Sequence, residues 1–153
     1  VASAESSEAL KNQYRSLYEA RSGTLAGKLA GFYYANMCYD DGDMDTAITI
    51  YEKLSKKFKD QPVFRQRALS SLGYAYEAAG DLDQARACFE KIVADPAFAL
   101  KDTALFNLAR LYEQTGAHQK SRELLTTLAS DYPDSLYADL AREKSGTVVA
   151  ESS

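Results

Sequence analysis

Residues 71–89 read SLGYAYEAAGDLDQARACF, and this stretch decides the fold. Apolar residues ahead of Gly80 recur at steps of three and four, which predicts one face of an α-helix. Gly80 is expected to end that helix, because glycine adopts the left-handed conformation without a Cβ penalty. Asp81 or Asp83 is expected to cap a second helix. In that second helix Phe89 would fill the space against the first, so the stretch predicts a helical hairpin.

The same pattern occurs twice more, as ANMCYDDGDMDTAITIY in residues 35–51 and ARLYEQTGAHQKSRELL in residues 109–125. The turn glycines Gly42, Gly80 and Gly116 lie 38 and 36 residues apart. Five residues after each glycine the side chain is small, and nine residues after it the side chain is large and apolar. Because one hairpin cannot bury its own apolar faces, repeated copies predict stacked hairpins.

A single domain is expected over residues 1–145, since 153 residues suit one core. We predict that helices begin at Pro62, at Asp95-Pro96 and at Asp134-Ser135. The leading helix is predicted to begin at Ser6-Ser7. The predicted segments are a flanking helix at 7–24, repeats at 25–59, 60–95 and 96–132, a capping helix at 133–145 and a frayed tail at 146–153.

Composition excludes several classes of function. A net charge of −4 and a pI near 5.1 argue against nucleic acid, because no excess of cations exists to neutralise phosphates. No apolar run approaches the roughly 20 residues of a membrane span, so direct membrane insertion by this fragment is not expected. The chain begins with Val1 rather than methionine, which predicts a processed or excised form and leaves open whether a signal or membrane anchor precedes it.

Residues with catalytic or metal-binding chemistry are sparse. Asp41, Asp43, Asp45 and Glu52 fall at positions 1, 3, 5 and 12 of a calcium loop, but Thr46 stands where that loop needs glycine. Helix capping is therefore favoured, with a cation at the Asp41–Asp45 turn as the open alternative. No phosphate loop, zinc spacing or catalytic triad is present, so neither a cofactor nor an enzymatic activity is expected.

The two cysteines and the one histidine have ordinary interpretations. Cys38 and Cys88 are expected to be small buried apolar residues, with a disulfide between them or a reactive thiol as alternatives. His118 begins a predicted helix and is expected to be solvated or to cap it.

The spacing of small and large residues around the three turn glycines resembles the tetratricopeptide repeat (TPR) pattern. The middle copy carries Leu72, Gly73, Tyr76, Ala85 and Phe89 at the positions where that family has its Leu-Gly, Tyr, Ala and Phe. The resemblance implies an all-α fold, a right-handed α-solenoid of about three helix hairpins with an N-terminal flanking helix and a C-terminal capping helix. It also implies protein–protein interaction rather than catalysis.

The units are longer than the usual 34 residues and end in phrases such as DYPDSLYADLAREK, residues 131–144. In this respect the chain is most similar to the YfgM-like family of the bacterial envelope, which resembles an ancillary subunit of the secretion translocon. BamD-like and Tol-Pal-associated repeat proteins are more distant likenesses. The resemblance implies a location on the periplasmic side of the inner membrane, with the cytoplasm as the alternative. The implied partner is a protein or peptide, such as translocon or periplasmic chaperone machinery, and a homo-oligomer is the alternative.

The family geometry places four offsets of each first helix on the concave, partner-binding side. The residues so predicted are Leu29, Phe32, Asn36 and Tyr39 in the first repeat, Arg67, Ser70, Tyr74 and Glu77 in the second, and Thr103, Phe106, Arg110 and Glu113 in the third. Family members that bind C-terminal carboxylates use lysine and asparagine where this chain has Phe32, Asn36 and Asp40. The resemblance therefore implies that these positions do not grip an acidic C-terminus.

Overall fold

The computed structural model describes residues 2–146, which contain eight α-helices and no strand. Two compact units are present: Val1–Ala85, called unit 1, and Arg86–Ser153, called unit 2. The helices are α1 (Ala2–Arg21), α2 (Leu25–Asp40), α3 (Met44–Lys57), α4 (Pro62–Ala78), α5 (Leu82–Ala94), α6 (Asp102–Gln114), α7 (His118–Asp131) and α8 (Ala138–Ser145). The all-α class is confirmed, and no helix among these residues is long and apolar enough to cross a bilayer.

The three turn glycines share one conformation, with φ of 84°, 83° and 83° at Gly42, Gly80 and Gly116. After each glycine, the next backbone N–H donates to the carbonyl five residues earlier, at N···O distances of 2.8 to 2.9 Å. This is the hydrogen bond of a Schellman helix end, and it requires the left-handed residue that glycine supplies. The sequence prediction for these turns is therefore confirmed.

Aspartate caps two of the helices that follow these turns. Asp43 Oδ1 accepts from the Thr46 N–H at 3.2 Å, and Asp81 Oδ1 accepts from the Gln84 N–H at 3.1 Å. Asp81 thus resolves the choice left open with Asp83. Hydrogen bonds from Thr46 also lower the pKa of the Asp43 carboxyl, so the cap is ionised well below neutral pH.

We expect Gly80→Val to destabilise the fold by about 1–2 kcal/mol, because a β-branched residue resists the left-handed region. No heavy atom lies within 4 Å of a Cβ built at Gly80, so the cost is backbone strain alone. Gly23→Val is the matched control, since that position has equal space and no positive φ. Urea unfolding followed by circular dichroism measures both. Equal midpoints for the two variants would contradict the turn geometry.

Unit 1 is organised around an aromatic cluster. The Phe58 ring is fully buried and stacks on Phe32 and Phe64, with ring centroids 5.5 and 5.0 Å apart. Phe32 also meets Tyr51 at 6.4 Å. These rings come from α2, the end of α3 and α4, so the cluster holds those three helices together.

Helices α1 and α2 approach closely because glycine faces the contact. A Cβ at Gly31 would lie 2.7 Å from the Tyr18 ring, and a Cβ at Gly27 would overlap the Arg21 carbonyl oxygen. Both glycines are buried in α2. The absence of side chains there permits the tight helix pair at the start of unit 1.

Unit 2 has an aliphatic core from α6, α7 and α8. Its buried members are Leu105, Ala109, Leu125, Leu128 and Ala141. The residues Val93, Phe106, Leu124, Ala129, Tyr132 and Tyr137 pack around this core. Small residues on α6 and α8 and leucines on α7 let the three helices fit together.

A tyrosine–glutamate bond recurs between consecutive helices. Tyr76 Oη in α4 donates to Glu52 in α3 at 2.6 Å, and Tyr112 Oη in α6 donates to Glu90 in α5 at 2.5 Å. Each glutamate stands ten residues after its turn glycine, so the bond follows the repeat. The bond to Glu90 raises the pKa of Tyr112 above its usual value.

The predicted start of α6 at Asp95-Pro96 is wrong, because that helix begins at Asp102. The Asp95 side chain accepts from the Ala97 N–H at 2.9 Å and forms a local turn instead of a helix cap. Phe98 is 2% exposed, and its burial fixes the turn. A local side-chain bond and one buried ring therefore override the proline signal.

The last and first helices also differ from the predictions. Helix α8 begins at Ala138 rather than at Asp134-Ser135, because Ser135 Oγ bonds Asp102 at 2.6 Å across the unit. Helix α1 begins at Ala2 rather than at Ser6, whose hydroxyl donates to the Ser3 carbonyl inside the helix. The predicted frayed tail lies, apart from Gly146, outside the described residues.

The cysteines are buried reduced thiols, one in each unit. Burial raises the pKa of the Cys38 thiol, which disfavours the reactive thiolate. The interpretation as small apolar residues is therefore the one that fits the structure.

Candidate functional site

Unit 2 contains a cleft of about 440 Å³ among helices α6, α7 and α8. This volume is within the range of about 300–1,000 Å³ that is typical of ligand pockets. We call it the α6–α8 cleft. Its lining residues are Phe106, Arg110, Glu113 and Gln114 from α6, Ser121, Arg122 and Leu125 from α7, and Lys144 from α8.

The α6 side of the cleft follows from helical spacing. Phe106, Arg110 and Glu113 recur at steps of four and three, so they share one face of α6. The Phe106 ring stacks on Tyr137 with centroids 4.3 Å apart and planes 12° apart. Ser135 Oγ accepts from the Tyr137 N–H at 3.2 Å, which positions that tyrosine. Stacking on Tyr137 therefore fixes the position of the Phe106 ring. Phe106 and Leu125 are the apolar residues of the lining, and we call them the apolar floor of the cleft.

Cations outnumber anions in the lining. Arg110, Arg122 and Lys144 carry positive charge, whereas Glu113 is the single carboxylate among the lining residues. Glu113 Oε1 lies 2.8 Å from His118 Nδ1, so a neighbouring side chain already engages it. The cleft is therefore locally positive in a chain whose net charge is −4.

Arg110 is oriented by the core beneath it. Its Nη2 donates to Asn107 Oδ1 at 3.2 Å, and Asn107 Nδ2 donates to the Thr103 carbonyl at 2.9 Å. Asn107 is 6% exposed, so this hydrogen bond fixes the guanidinium from the buried side. An oriented guanidinium suits the planar recognition of a carboxylate.

Three of the predicted site residues of unit 1 make contacts within the unit. Phe32 is 3% exposed and belongs to the aromatic cluster, so truncating it would damage the core. The Arg67 guanidinium lies 5.6 Å from the Phe32 ring, so these two predicted residues do meet. Asn36 Oδ1 accepts from Tyr51 Oη at 2.6 Å, and burial raises the pKa of Tyr51 to about 12, which keeps it a donor.

The other predicted residues of unit 1 are half-buried on α2 and α4. They are Leu29, Tyr39, Ser70, Tyr74 and Glu77. In unit 2, the structure brings Phe106, Arg110 and Glu113 together in the α6–α8 cleft. Contact of any of these residues with a partner stays a prediction.

Sequence reasoning missed the cleft residues outside the first-helix offsets. Gln114 follows Glu113 on the same helix, and Arg122 follows the small residue after the third turn. Both therefore lie next to positions that the repeat fixes, and this neighbourhood could have indicated them. Lys144 belongs to the capping helix, whose register the repeat does not set. Only the structure places Lys144 beside α6 and α7.

The acidic turn has local partners. Asp43 caps α3, and the Asp41 carboxylate accepts from Lys11 Nζ at 2.5 Å. Among the residues described, no group of three His, Cys, Asp or Glu side chains could hold a metal ion. Lys11 and the Thr46 N–H are thus the partners of these two carboxylates.

Three solved structures share the fold of this chain. Nearly identical TPR-like repeats attributed to a kinesin light chain of Podosopora anserina match with a TM-score of 0.69 and 18% identity, over 93% of this chain and 78% of that one. A point variant of the same repeats matches equally. BtubC (BKLC) from P. vanneervenii matches with a TM-score of 0.63 and 16% identity, over 96% of this chain and 74% of that one. At such identities the likeness concerns the fold.

Sequence comparison gives the family. One tetratricopeptide repeat model matches residues 67–135 and another matches residues 28–60. No curated protein matches the chain in sequence. The two matched segments together cover more than half of the chain and include all three turn glycines. The chain therefore belongs to the tetratricopeptide repeat family.

Proposed function

We propose that this chain is a non-catalytic protein-interaction module that holds a segment of a partner protein in the α6–α8 cleft. TPR repeats generally mediate protein–protein interaction, and their fold is a typical non-catalytic scaffold. The observation that carries the proposal is the cleft itself, where an apolar floor meets charged side chains. Aromatic and arginine side chains are enriched at interface anchors, and Phe106 and Arg110 supply both.

The proposed location is the periplasmic side of the bacterial inner membrane, with the cytoplasm as the alternative. The support is the sequence resemblance of residues 131–144 to the YfgM-like envelope family. Under this proposal the partner is part of the translocon or a periplasmic chaperone.

A photo-crosslinking side chain placed at Gln114 tests the proposal in cells. Gln114 is exposed and lines the cleft, so the probe should crosslink a discrete partner protein. Gln61, an exposed glutamine before α4 in unit 1, is the matched control and should not give that product. Mass spectrometry of the crosslinked band identifies the partner. An envelope protein would support the periplasmic location, and a cytoplasmic protein would support the alternative.

Crosslinks that are identical from Gln114 and Gln61, or absent from both, would contradict the assignment of the cleft. The variants should keep the helical circular dichroism of the parent chain, because both positions are exposed. This control separates loss of binding from loss of folding.

Self-association without a groove ligand is the second candidate function. One observation favours it: α1 and α2 expose several large apolar side chains. Leu10 is 42% exposed, Leu17 38% and Tyr33 51%. Tyr33 stacks on Tyr14, which shares the helix face of the two leucines, at 5.1 Å. Sedimentation across a range of concentrations separates the functions, since a tight dimer that leaves the Gln114 probe without a partner favours self-association.

A further inference from the structure

The α6–α8 cleft has a polarity that selects among protein partners. Three cations, Arg110, Arg122 and Lys144, converge on it from three different helices. No carboxylate in residues 2–146 forms an ion pair with Arg122 or Lys144. Arg122 and Lys144 carry like charges on different helices, and an entering anion relieves the repulsion between them.

The positive charge of the cleft is opposite in sign to the net charge of the chain. The chain as a whole carries a net charge of −4, so a positive cleft is not a consequence of composition. Two cations elsewhere are paired within their own helices: Arg15 bonds Glu19 at 2.9 Å, and Arg142 bonds Asp139 at 2.6 Å. The cleft instead combines cations from separate helices with an apolar floor.

The floor sets the second requirement for a ligand. Phe106 is half-buried and held flat by Tyr137, and Leu125 is 4% exposed at the bottom of the cleft. An apolar side chain that covers this floor removes it from water, which favours binding in proportion to the area covered. A volume of about 440 Å³ accommodates a large side chain with its adjoining backbone.

We propose that the α6–α8 cleft binds an internal acidic segment of a partner protein, with one large apolar side chain on Phe106 and Leu125 and flanking carboxylates toward Arg110, Arg122 and Lys144. This inference rests on the proposed interaction function and specifies the chemistry of the partner. It concerns residues of unit 2, whereas Phe32, Asn36 and Asp40 lie in unit 1. Arg122 and Lys144 set the charge selectivity.

The probe is a fluorescein-labelled nonapeptide with leucine at its centre and glutamates on both sides. It is amidated at the C-terminus, so that no terminal carboxylate contributes. Two matched peptides replace the glutamates with lysines or the central leucine with glycine. Fluorescence anisotropy with the full chain should give micromolar affinity for the acidic peptide and at least tenfold weaker binding of the other two. The affinity should also fall with added salt.

The double variant Arg122→Glu/Lys144→Glu should weaken the acidic peptide at least tenfold. Both side chains are exposed, so the fold should survive, and circular dichroism checks this. Lys53→Glu/Lys56→Glu is the matched control, because it changes the net charge equally at exposed positions of α3 in unit 1. The control should bind the acidic peptide like the parent chain.

Each outcome is decisive. Equal binding of acidic and basic peptides, or acidic binding that survives the Arg122→Glu/Lys144→Glu change, would overturn the inference. If the lysine peptide binds and the Gln114 probe still captures a partner, the charge selectivity is wrong and the interaction function stands. If no peptide binds, the inference fails, and if Gln114 also captures nothing, the proposed interaction function fails with it.

Discussion

Phe58→Ala is expected to lower the free energy of unfolding of unit 1 by about 3–5 kcal/mol. The side chain is fully buried and stacks on Phe32 and Phe64, so its removal loses the transfer energy and leaves a cavity among three helices. Lys28 Nζ lies 5.2 Å from the ring centroid and would lose this contact as well. Urea denaturation followed by circular dichroism measures the change.

Val63→Ala is the control for this prediction. Val63 is near the same cluster in sequence, but it is 79% exposed, so its truncation should change stability by less than about 0.5 kcal/mol. A Phe58→Ala variant as stable as Val63→Ala would show that the aromatic cluster does not hold α2, the end of α3 and α4 together.

Gly27→Ala is expected to cost about 3 kcal/mol, the upper end of the range for overpacked cores. A Cβ at this position would overlap the carbonyl oxygen and carbon of Arg21. These are backbone atoms, so no side-chain rotation relieves the clash, and the end of α1 must move. The Gly27 N–H also donates to Thr24 Oγ1 at 3.0 Å, and this cap of α2 would be strained too.

Hydrogen exchange locates the effect of Gly27→Ala. Amides of α1, residues 2–21, should lose protection, because the helix can no longer dock on α2. Gly23→Ala is the control, since no heavy atom lies within 4 Å of a Cβ there. Unchanged exchange in α1 would mean that the close approach of the two helices is not present in solution.

The repeat could be predicted from the sequence because its signals are local. Gly42, Gly80 and Gly116 mark turns by a property of glycine itself, and Asp43 and Asp81 cap the next residues in the chain. Such features depend on neighbours within a few positions. The fold class and most helix ends follow from them.

The errors have the opposite origin. Asp95-Pro96 looks like a helix start, but the burial of Phe98 decides the conformation there. Asp134-Ser135 also looks like a helix start, yet Ser135 bonds Asp102, which is 33 positions away, and α8 begins at Ala138. Contacts between distant positions override local propensity, and one sequence alone does not reveal them.

Only the part of the α6–α8 cleft that lies on a single helix could be predicted from the sequence. Phe106, Arg110 and Glu113 lie on one helix at fixed spacing, so the family offsets reached them. Arg122 and Lys144 join them only because α7 and α8 pack beside α6. The positive character of the cleft is therefore a tertiary property, and the offsets of a single helix indicate only its floor and one cation.

The two cysteines can report separately on the opening of the two units. Cys38 lies in unit 1 and Cys88 in unit 2, and both are shielded from solvent. A thiol-specific alkylating reagent modifies such a side chain only when its surroundings open. The two labelling rates therefore measure the opening of each half of the native chain separately, without any engineered probe, and a ligand that protects one sulfur but not the other reveals which half it stabilises.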